Sequence, residues 1–209
     1  GVLRVVYPEV DALFGMPQPV KWHPEVDSGV HTMMVVEQAA HVSEDVEVRF
    51  AALVHDLGKG TTRLADLPSH PGHEQRGRKL IMAMADRLPI PRACRDLGVL
   101  VAEFHTHCHR AFELRDESVA KLFEKTDAYR RPQRFEQFLL ACEADARGRT
   151  GFEHRDYAQA AHLREAFAAA SSVDAGAIAA DVPEKKIPQA IRSARIQAVS
   201  QVRGGRQSP

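Results

Sequence analysis

A short apolar run that ends in a histidine, an aspartate and a glycine constrains the fold of this chain most. The run is Phe50-Ala51-Ala52-Leu53-Val54-His55-Asp56-Leu57-Gly58-Lys59-Gly60. Its apolar part predicts a buried helix that stops at the first glycine. An imidazole and a carboxylate at the inner end of such a helix need a partner or a metal, because burying an unpaired polar group costs free energy. We therefore expect the rest of the chain to bring further ligands to His55 and Asp56.

The composition limits the class of protein. The 28 basic residues balance the 28 acidic ones, which argues against a protein held on nucleic acid by bulk charge. Equal numbers of charges do not exclude a local basic patch. No apolar run approaches ~18 residues, so we expect no membrane span. Three cysteines without a Cys-x-x-Cys spacing favour the reducing cytoplasm. Eleven clustered histidines are the first indication of metal chemistry.

The pattern of apolar positions, caps, glycines and prolines predicts an all-α chain: a helical bundle followed by a small helical tail. We predict helices over residues 29–41, 46–57, 73–87, 92–107, 116–128, 133–146, 153–170 and 185–201, with a small-residue joint at 171–183. The predicted segments are a loop-rich connection at 1–28, the bundle domain at 29–150 and the tail at 151–209.

Helix lengths predict that several polar groups meet at one level of the bundle. At a rise of ~1.5 Å per residue, the path from His31 to the end of its helix is ~18 Å and the return to His55 is ~15 Å. A short connection makes two such helices antiparallel neighbours. The same reasoning, with arms of ~23 and ~20 Å, brings His73 and His105 to one level.

A carboxylate is expected from the next helical hairpin. Asp127 and Asp145 close its two helices at opposite ends, so only one of them can face the site. We favour Asp145, because its helix delivers it just before a glycine, as another helix delivers Asp56; Asp127 is the alternative. The mixed nitrogen and oxygen ligands suit a divalent transition metal or Mg²⁺ and argue against structural zinc. The expected ligands are His31, His55, Asp56 and Asp145.

Further residues near these ligands are candidates for substrate contacts. His73 and His105 are candidates for a second metal or a phosphate. Lys59 either neutralises a substrate phosphate or is a solvated loop lysine, and Arg149 is a similar candidate. In the run His105-Thr106-His107-Cys108-His109, adjacent positions diverge on a helix, so we expect His105 alone to point into the site. We expect His23 to lie on the surface.

The order of these residues resembles the HD-domain metal-dependent phosphohydrolases. A lone histidine, then His-Asp-x-Gly-Lys, then two histidines and an aspartate is similar to that family's pattern. Four stretches more closely resemble the C-terminal half of the multifunctional bacterial CCA-adding enzymes, a family of tRNA nucleotidyltransferases. They are Val20-Lys21-Trp22-His23-Pro24-Glu25, His55-Asp56-Leu57-Gly58-Lys59-Gly60, Leu67-Pro68-Ser69-His70-Pro71-Gly72-His73-Glu74 and Ala141-Cys142-Glu143-Ala144-Asp145-Ala146-Arg147-Gly148-Arg149.

The resemblance implies that residues 29–150 are an HD phosphohydrolase domain that acts on 2′,3′-cyclic nucleotides, 2′-nucleotides and phosphomonoesters. It implies Ni²⁺ for some of these reactions, while the nitrogen and oxygen ligands leave Mg²⁺, Mn²⁺ or Co²⁺ as other choices. The implied partners are nucleotides and a tRNA 3′ end carrying a 2′,3′-cyclic phosphate or 2′-phosphate. The oligomeric state is left open, and a homodimer is one option. The positions that match the motif are His31, His55, Asp56 and Asp145, whereas His73 and His105 match only the extra histidines of the wider superfamily.

The nucleotidyltransferase half of that family is not expected in this chain. We find no Gly-Ser with paired aspartates after a strand, and the chain begins with Gly1 rather than methionine, so we expect a piece of a longer protein. The tail helix at 185–201 carries Lys186, Arg192 and Arg195 away from its apolar face. This helix either contacts tRNA, as the resemblance implies, or packs with a solvated charged face.

The expected mechanism is metal-assisted hydrolysis of a phosphoester. Asp56 or Asp145 would orient or deprotonate the attacking water, and His105 would protonate the leaving ribose oxygen. The main alternative is a non-catalytic helical module for tRNA binding or dimerisation with a relic His-Asp site, which predicts no bound metal and no turnover. A nucleotidase of free deoxynucleotides is a third interpretation, which the tail and the four stretches disfavour.

Overall fold

The computed structural model describes the backbone of residues 1–205 and the side chains of residues 1–202, and the described part is all-α, as predicted. Its α-helices are α1 (Val2–Val6), α2 (Pro8–Asp11), α3 (Ser28–Val42), α4 (Val46–Val54), α5 (His73–Arg87), α6 (Arg92–His109), α7 (Asp116–Lys125), α8 (Pro132–Arg147), α9 (Ala158–Ser171), α10 (Ala175–Asp181) and α11 (Ile187–Gly205). Short 3₁₀-helices lie at Leu57–Thr61, Leu64–Asp66, Ala111–Glu113 and Glu184–Lys186. None of the described helices has the length and hydropathy needed to cross a membrane.

Two compact units share the chain. The first unit comprises residues 1–109 and 136–157, and the second comprises residues 110–135 and 158–209. The three segments predicted from the sequence, with boundaries at residues 28 and 150, are a separate division and stay a prediction. The last part of the predicted tail, residues 206–209, lies outside the described residues.

The first unit is built around α4. This helix packs against α3 on one side and α6 on the other, and α5 packs against α6. Val54 and Leu57 are fully buried in the core together with residues of α2, α5 and α6. Because the chain leaves α4 inside this core, the two residues that follow Val54 are held between neighbouring helices.

Most helix boundaries agree with the sequence pattern. Asp27 caps α3, since its side chain accepts a hydrogen bond from the backbone N–H of Val30 at 2.9 Å. The bounds of α5 are those predicted, and α6 extends two residues further, to His109. Asp27 before α3, Gly72 before α5 and the prolines Pro89 and Pro91 between α5 and α6 mark these ends in the sequence.

One prediction about the loops was incomplete and another was wrong. The segment 1–28 is mostly loop, as predicted, but it also contains α1 and α2, and Pro8 begins α2 at its first position. The joint at 171–183 contains α10, which Asp174 caps by accepting a hydrogen bond from Ala177 N–H at 2.9 Å. Alanines in that joint are strong helix formers and outweigh its glycine.

The predicted end of the helix over 46–57 was also wrong. The α-helix ends at Val54, His55 and Asp56 form a turn, and a 3₁₀-helix follows from Leu57. Gly58 does not end a helix. A Cβ there would overlap the carbonyl oxygen of His73, so the missing side chain lets the 3₁₀-helix pack against the start of α5.

Candidate metal centre

Four histidines and two aspartates form a single cluster within the first unit. They come from α3, from the turn after α4, and from α5, α6 and α8. All are buried except one, whose side chain is largely buried. The residues are His31, His55, Asp56, His73, His105 and Asp145.

One half of the cluster is centred on a carboxylate oxygen of Asp145. Its Oδ1 lies 3.1 Å from His31 Nε2 and 3.7 Å from His55 Nε2. One ligand atom from each of these three residues falls within 4.8 Å of the others. The expected convergence of His31, His55 and Asp145 is therefore present in the structure.

The other half of the cluster is centred on Asp56. Its Oδ1 lies 3.4 Å from His73 Nε2 and 3.6 Å from His105 Nε2. Its Oδ2 lies 3.1 Å from His55 Nε2. Asp56 thus joins the two halves, and the structure brings His73 and His105 to it as the helix lengths predicted.

The four histidines share one orientation. Each donates a hydrogen bond from Nδ1–H to a backbone carbonyl oxygen at 2.7–2.9 Å. A carbonyl oxygen only accepts, so Nδ1 carries a proton and Nε2 of the neutral ring carries the lone pair. The carbonyl acceptors are Gly148 for His31, Ala52 for His55, His70 for His73 and Val101 for His105.

Lone pairs therefore face lone pairs inside the cluster. Nε2 of His55, Nε2 of His73 and Oδ1 of Asp56 are buried and have no hydrogen-bond partner among the described residues. Such orphaned acceptors are costly unless a cation satisfies them. Imidazole nitrogens and carboxylate oxygens are a ligand set for divalent transition metals or Mg²⁺. These residues fit a divalent cation.

The charges of the cluster favour a cation as well. Burial alone would raise the pKa of Asp56 and Asp145, but Lys59 and His55 beside Asp56, and His109 and His55 beside Asp145, hold both pKa values well below the usual range. Burial also disfavours protonated His55, yet the charges of Asp56 and Asp145 outweigh it and raise the pKa of His55. A pocket that attracts a proton in this way attracts a metal ion by the same electrostatics.

The predicted basic residues also lie at the cluster. Lys59 is only 6% exposed, and its Nζ lies 2.6 Å from Asp56 Oδ2 and donates a hydrogen bond to Gln18. The solvated alternative for Lys59 is therefore wrong. Arg149 Nη2 lies 3.5 Å from Asp145 Oδ1. Asp127 belongs to the second unit, where its Oδ2 lies 3.5 Å from Arg131 Nε.

Sequence reasoning missed three residues beside the cluster. His23 was expected on the surface, but its side chain is 11% exposed and its Nδ1 lies 3.0 Å from Glu25 Oε1. The same oxygen of Glu25 lies 3.0 Å from His31 Nδ1. Burial lowers the pKa of His23 to about 4. Two polar residues flanking a proline give no periodicity, so the sequence carried no signal for this arrangement.

The third missed residue is His109. The expectation that His105 alone points inward was wrong, because His109 Nε2 lies 2.6 Å from Asp145 Oδ2. Positions four apart on a helix share a face, so the i, i+4 spacing of His105 and His109 was the available signal.

The chain is similar to known proteins over most of its length. Residues 29–144, more than half of the chain, match the family model described as HD domain. The chain is 54% identical over 204 residues to a "Multifunctional CCA protein" of Thioalkalivibrio sulfidiphilus, covering 97% of this chain and 50% of the relative. It is 50% identical over 202 residues to a protein of the same description from Nitrosococcus oceani, covering 96% and 50%. The chain spans about half the length of these curated relatives, and no solved structure matches it.

Proposed function

Because the chain belongs to the HD-domain family, we propose that it is a metal-dependent phosphohydrolase that cleaves 2′,3′-cyclic phosphates, 2′-phosphates and other phosphomonoesters. One observation carries this proposal. Four imidazoles held by backbone carbonyls present their Nε2 lone pairs to two buried, ionised carboxylates. Structural polar networks pair donors with acceptors, whereas the Nε2 atoms of these four rings, when neutral, and the carboxylate oxygens they face are all acceptors and suit a cation.

The cation would be held by the expected ligands. We propose His31, His55, Asp56 and Asp145 as ligands, with His73 and His105 contacting a second cation or a phosphate. The bound metal supplies positive charge that stabilises the phosphoryl oxygens during displacement. Because imidazoles outnumber carboxylates in the cluster, Ni²⁺ suits it better than Mg²⁺.

The remaining chemistry falls to protein side chains. Asp56 or Asp145 is the proposed residue that orients or deprotonates the attacking water, and because both stay ionised, each can accept a hydrogen bond from that water. Lys59, held 2.6 Å from Asp56, is the proposed partner of a phosphate oxygen. Arg149 is a second proposed phosphate contact, since its buried Nε has no hydrogen-bond partner among the described residues.

Two roles were predicted for His105, and the structure favours one. Burial lowers the pKa of His105 to about 3, so the ring is neutral at physiological pH. Its proton sits on Nδ1, which donates to Val101, and its lone pair faces Asp56. This arrangement favours the role of cation or phosphate contact. Protonation of the leaving ribose oxygen by His105 stays a prediction.

We propose a tRNA 3′ end as the source of the phosphoester, because the relatives are described as multifunctional CCA proteins. The chain would then be part of a longer cytoplasmic enzyme that adds and repairs CCA, with nucleotide addition performed outside these residues. Arg192 pairs with Glu124 at 3.1 Å, and Arg195 stacks on Tyr129. A tRNA contact by the tail would use the exposed Lys185-Lys186 pair and Arg192, whose side chain is also exposed.

The test of the proposal is hydrolysis of 2′,3′-cyclic AMP by the metal-depleted chain after addition of Ni²⁺. We expect Asp56→Ala to abolish turnover while helix content by circular dichroism stays unchanged. Asp66→Ala is the matched control, because Asp66 pairs with Arg63 away from the cluster and should keep full activity. A wild-type chain that binds no metal and turns over no phosphoester would support the relic-site alternative instead.

A further inference from the structure

His109 lies one helical turn beyond His105 on α6, and it contacts the cluster through Asp145 rather than through Asp56. Its Nε2 lies 2.6 Å from Asp145 Oδ2, and its Nδ1 lies 2.8 Å from the hydroxyl of Tyr157. Neither nitrogen belongs to the groups of described residues whose ligand atoms converge within 4.8 Å. The side chain therefore contacts a proposed ligand without facing the cation position itself.

The two hydrogen-bond partners of His109 indicate which of its ring nitrogens carries the proton. An ionised carboxylate only accepts, so His109 donates from Nε2–H to Asp145 Oδ2. In a ring with a single proton, Nδ1 is then an acceptor, and the Tyr157 hydroxyl at 2.8 Å is placed to donate to it. Burial, followed by the nearby thiols of Cys108 and Cys142, raises the pKa of Tyr157, which keeps that hydroxyl protonated.

A competing partner of the hydroxyl is weaker. The Tyr157 oxygen lies 3.4 Å from Cys108 Sγ, and a thiol is a weak donor and a weak acceptor. Imidazole Nδ1 at 2.8 Å is the stronger acceptor. The proton order is thus Tyr157 to His109 to Asp145, and it gives His109 the reverse of the orientation that His31, His55, His73 and His105 share.

With these hydrogen bonds, the two carboxylate oxygens of Asp145 have different partners. Oδ2 is occupied by His109, while Oδ1 faces His31 and His55 at 3.1 and 3.7 Å. Arg149 lies 3.5 Å from Oδ1 and would draw the carboxylate away if nothing held Oδ2. We propose that His109, held by Tyr157, is a positioning residue that keeps Asp145 Oδ1 aimed at the cation. The inference rests on the proposed function, since it presupposes a bound cation.

The experiment is calorimetric titration of the metal-depleted full chain with Ni²⁺, which reports affinity without turnover. His109→Leu removes the donor and should weaken Ni²⁺ binding by about 10–100-fold, the usual cost of losing such a supporting partner. His109→Gln keeps an N–H at the position of Nε2 and should recover much of that affinity. Tyr157→Phe leaves the tautomer of His109 unfixed and should fall between wild type and His109→Leu.

The matched control is His107→Leu, an exposed histidine on the same helix that should leave Ni²⁺ affinity unchanged. Equal affinity of wild type and His109→Leu would overturn the inference and leave the proposed function standing. His109→Gln as weak as His109→Leu would overturn the positioning role. If His109→Leu does not fold, Tyr157→Phe provides the test instead. A Ni²⁺ affinity of Tyr157→Phe equal to that of the wild type would then refute the proposal that Tyr157 and His109 position Asp145. A wild-type chain that binds no Ni²⁺ would refute the proposed function first.

Discussion

The glycine after α8 links the packing of the first unit to the proposed metal site. Gly148 accepts a hydrogen bond from His31 Nδ1–H at 2.9 Å. A Cβ on Gly148 would lie 2.5 Å from Val35 Cγ2 and 2.7 Å from the Cα and N of Val35. Two of these three atoms are backbone, so no rotamer change can relieve the overlap. Gly148→Ala must push the end of α8 away from α3.

The size of the effect follows from those distances. Ordinary Cβ contacts begin at 3.4 Å, so the backbone atoms must separate by roughly 0.7 Å. Overpacking of this kind costs about 1–3 kcal/mol. Because the carbonyl that holds His31 moves with the chain, the orientation of His31 Nε2 should loosen and Ni²⁺ affinity should fall as well.

The assay is urea unfolding of the metal-depleted chain, followed by Ni²⁺ titration of the folded protein. We expect Gly148→Ala to lower the free energy of unfolding by about 1–3 kcal/mol and to weaken Ni²⁺ binding. Adding Val35→Ala should not restore either quantity, since it removes only the Cγ2 contact. Gly176→Ala is the control, because its Cβ meets only the side chain of Asp174, at 3.3 Å. If Gly148→Ala and Gly176→Ala behave alike in both measurements, the packing argument is refuted.

Three further predictions concern the charges of the cluster. Lys59→Met should lower the free energy of unfolding of the metal-depleted chain in urea by about 3–5 kcal/mol, because it leaves buried Asp56 without its cationic partner. A loss below about 1 kcal/mol would show that Lys59 does not neutralise Asp56. His105 has its pKa lowered to about 3 in the folded chain, against 6.5 when unfolded, so only the unfolded state takes up a proton as the pH falls from 7.5 to 5.5. Over this pH range the free energy of unfolding of the wild type should fall by about 1.4 kcal/mol more than that of His105→Gln. If the free energy of unfolding of the two metal-depleted chains depends on pH in the same way, this prediction is contradicted. Chelation should lower the melting temperature of the metal-loaded chain, and Ni²⁺ at about 100 times its Kd should restore about 2.7 kcal/mol of stability; an unchanged melting temperature would count against a buried site.

The sequence was informative where periodicity and helix length decide the structure. A capping residue, glycines and prolines predicted the ends of α3, α5 and α6 closely, and helix arms of similar length brought His31 to the level of His55. The choice of Asp145 over Asp127 rested on a helix that ends at glycine. In the structure Asp145 Oδ1 lies 3.1 Å from His31 Nε2.

The sequence failed where tertiary contacts decide. Gly58 was interpreted as a helix stop, whereas its role is close packing against the His73 backbone, a contact distant in sequence. Glu25 reaches His31 from an irregular loop whose path no local pattern predicts. His109 was excluded by comparing adjacent positions instead of positions one turn apart. The tautomers of the histidines depend on carbonyls supplied by the fold, which the sequence does not specify.

The most direct test of a cation held by these imidazoles and carboxylates is anomalous diffraction from crystals of the Ni²⁺-loaded chain. We expect an anomalous peak about 2.1 Å from the Nε2 atoms of His31 and His55, with Asp145 Oδ1 and Asp56 completing the protein ligands. A density map with no peak at this position, or with Ni²⁺ bound only at other histidines, would contradict this expectation.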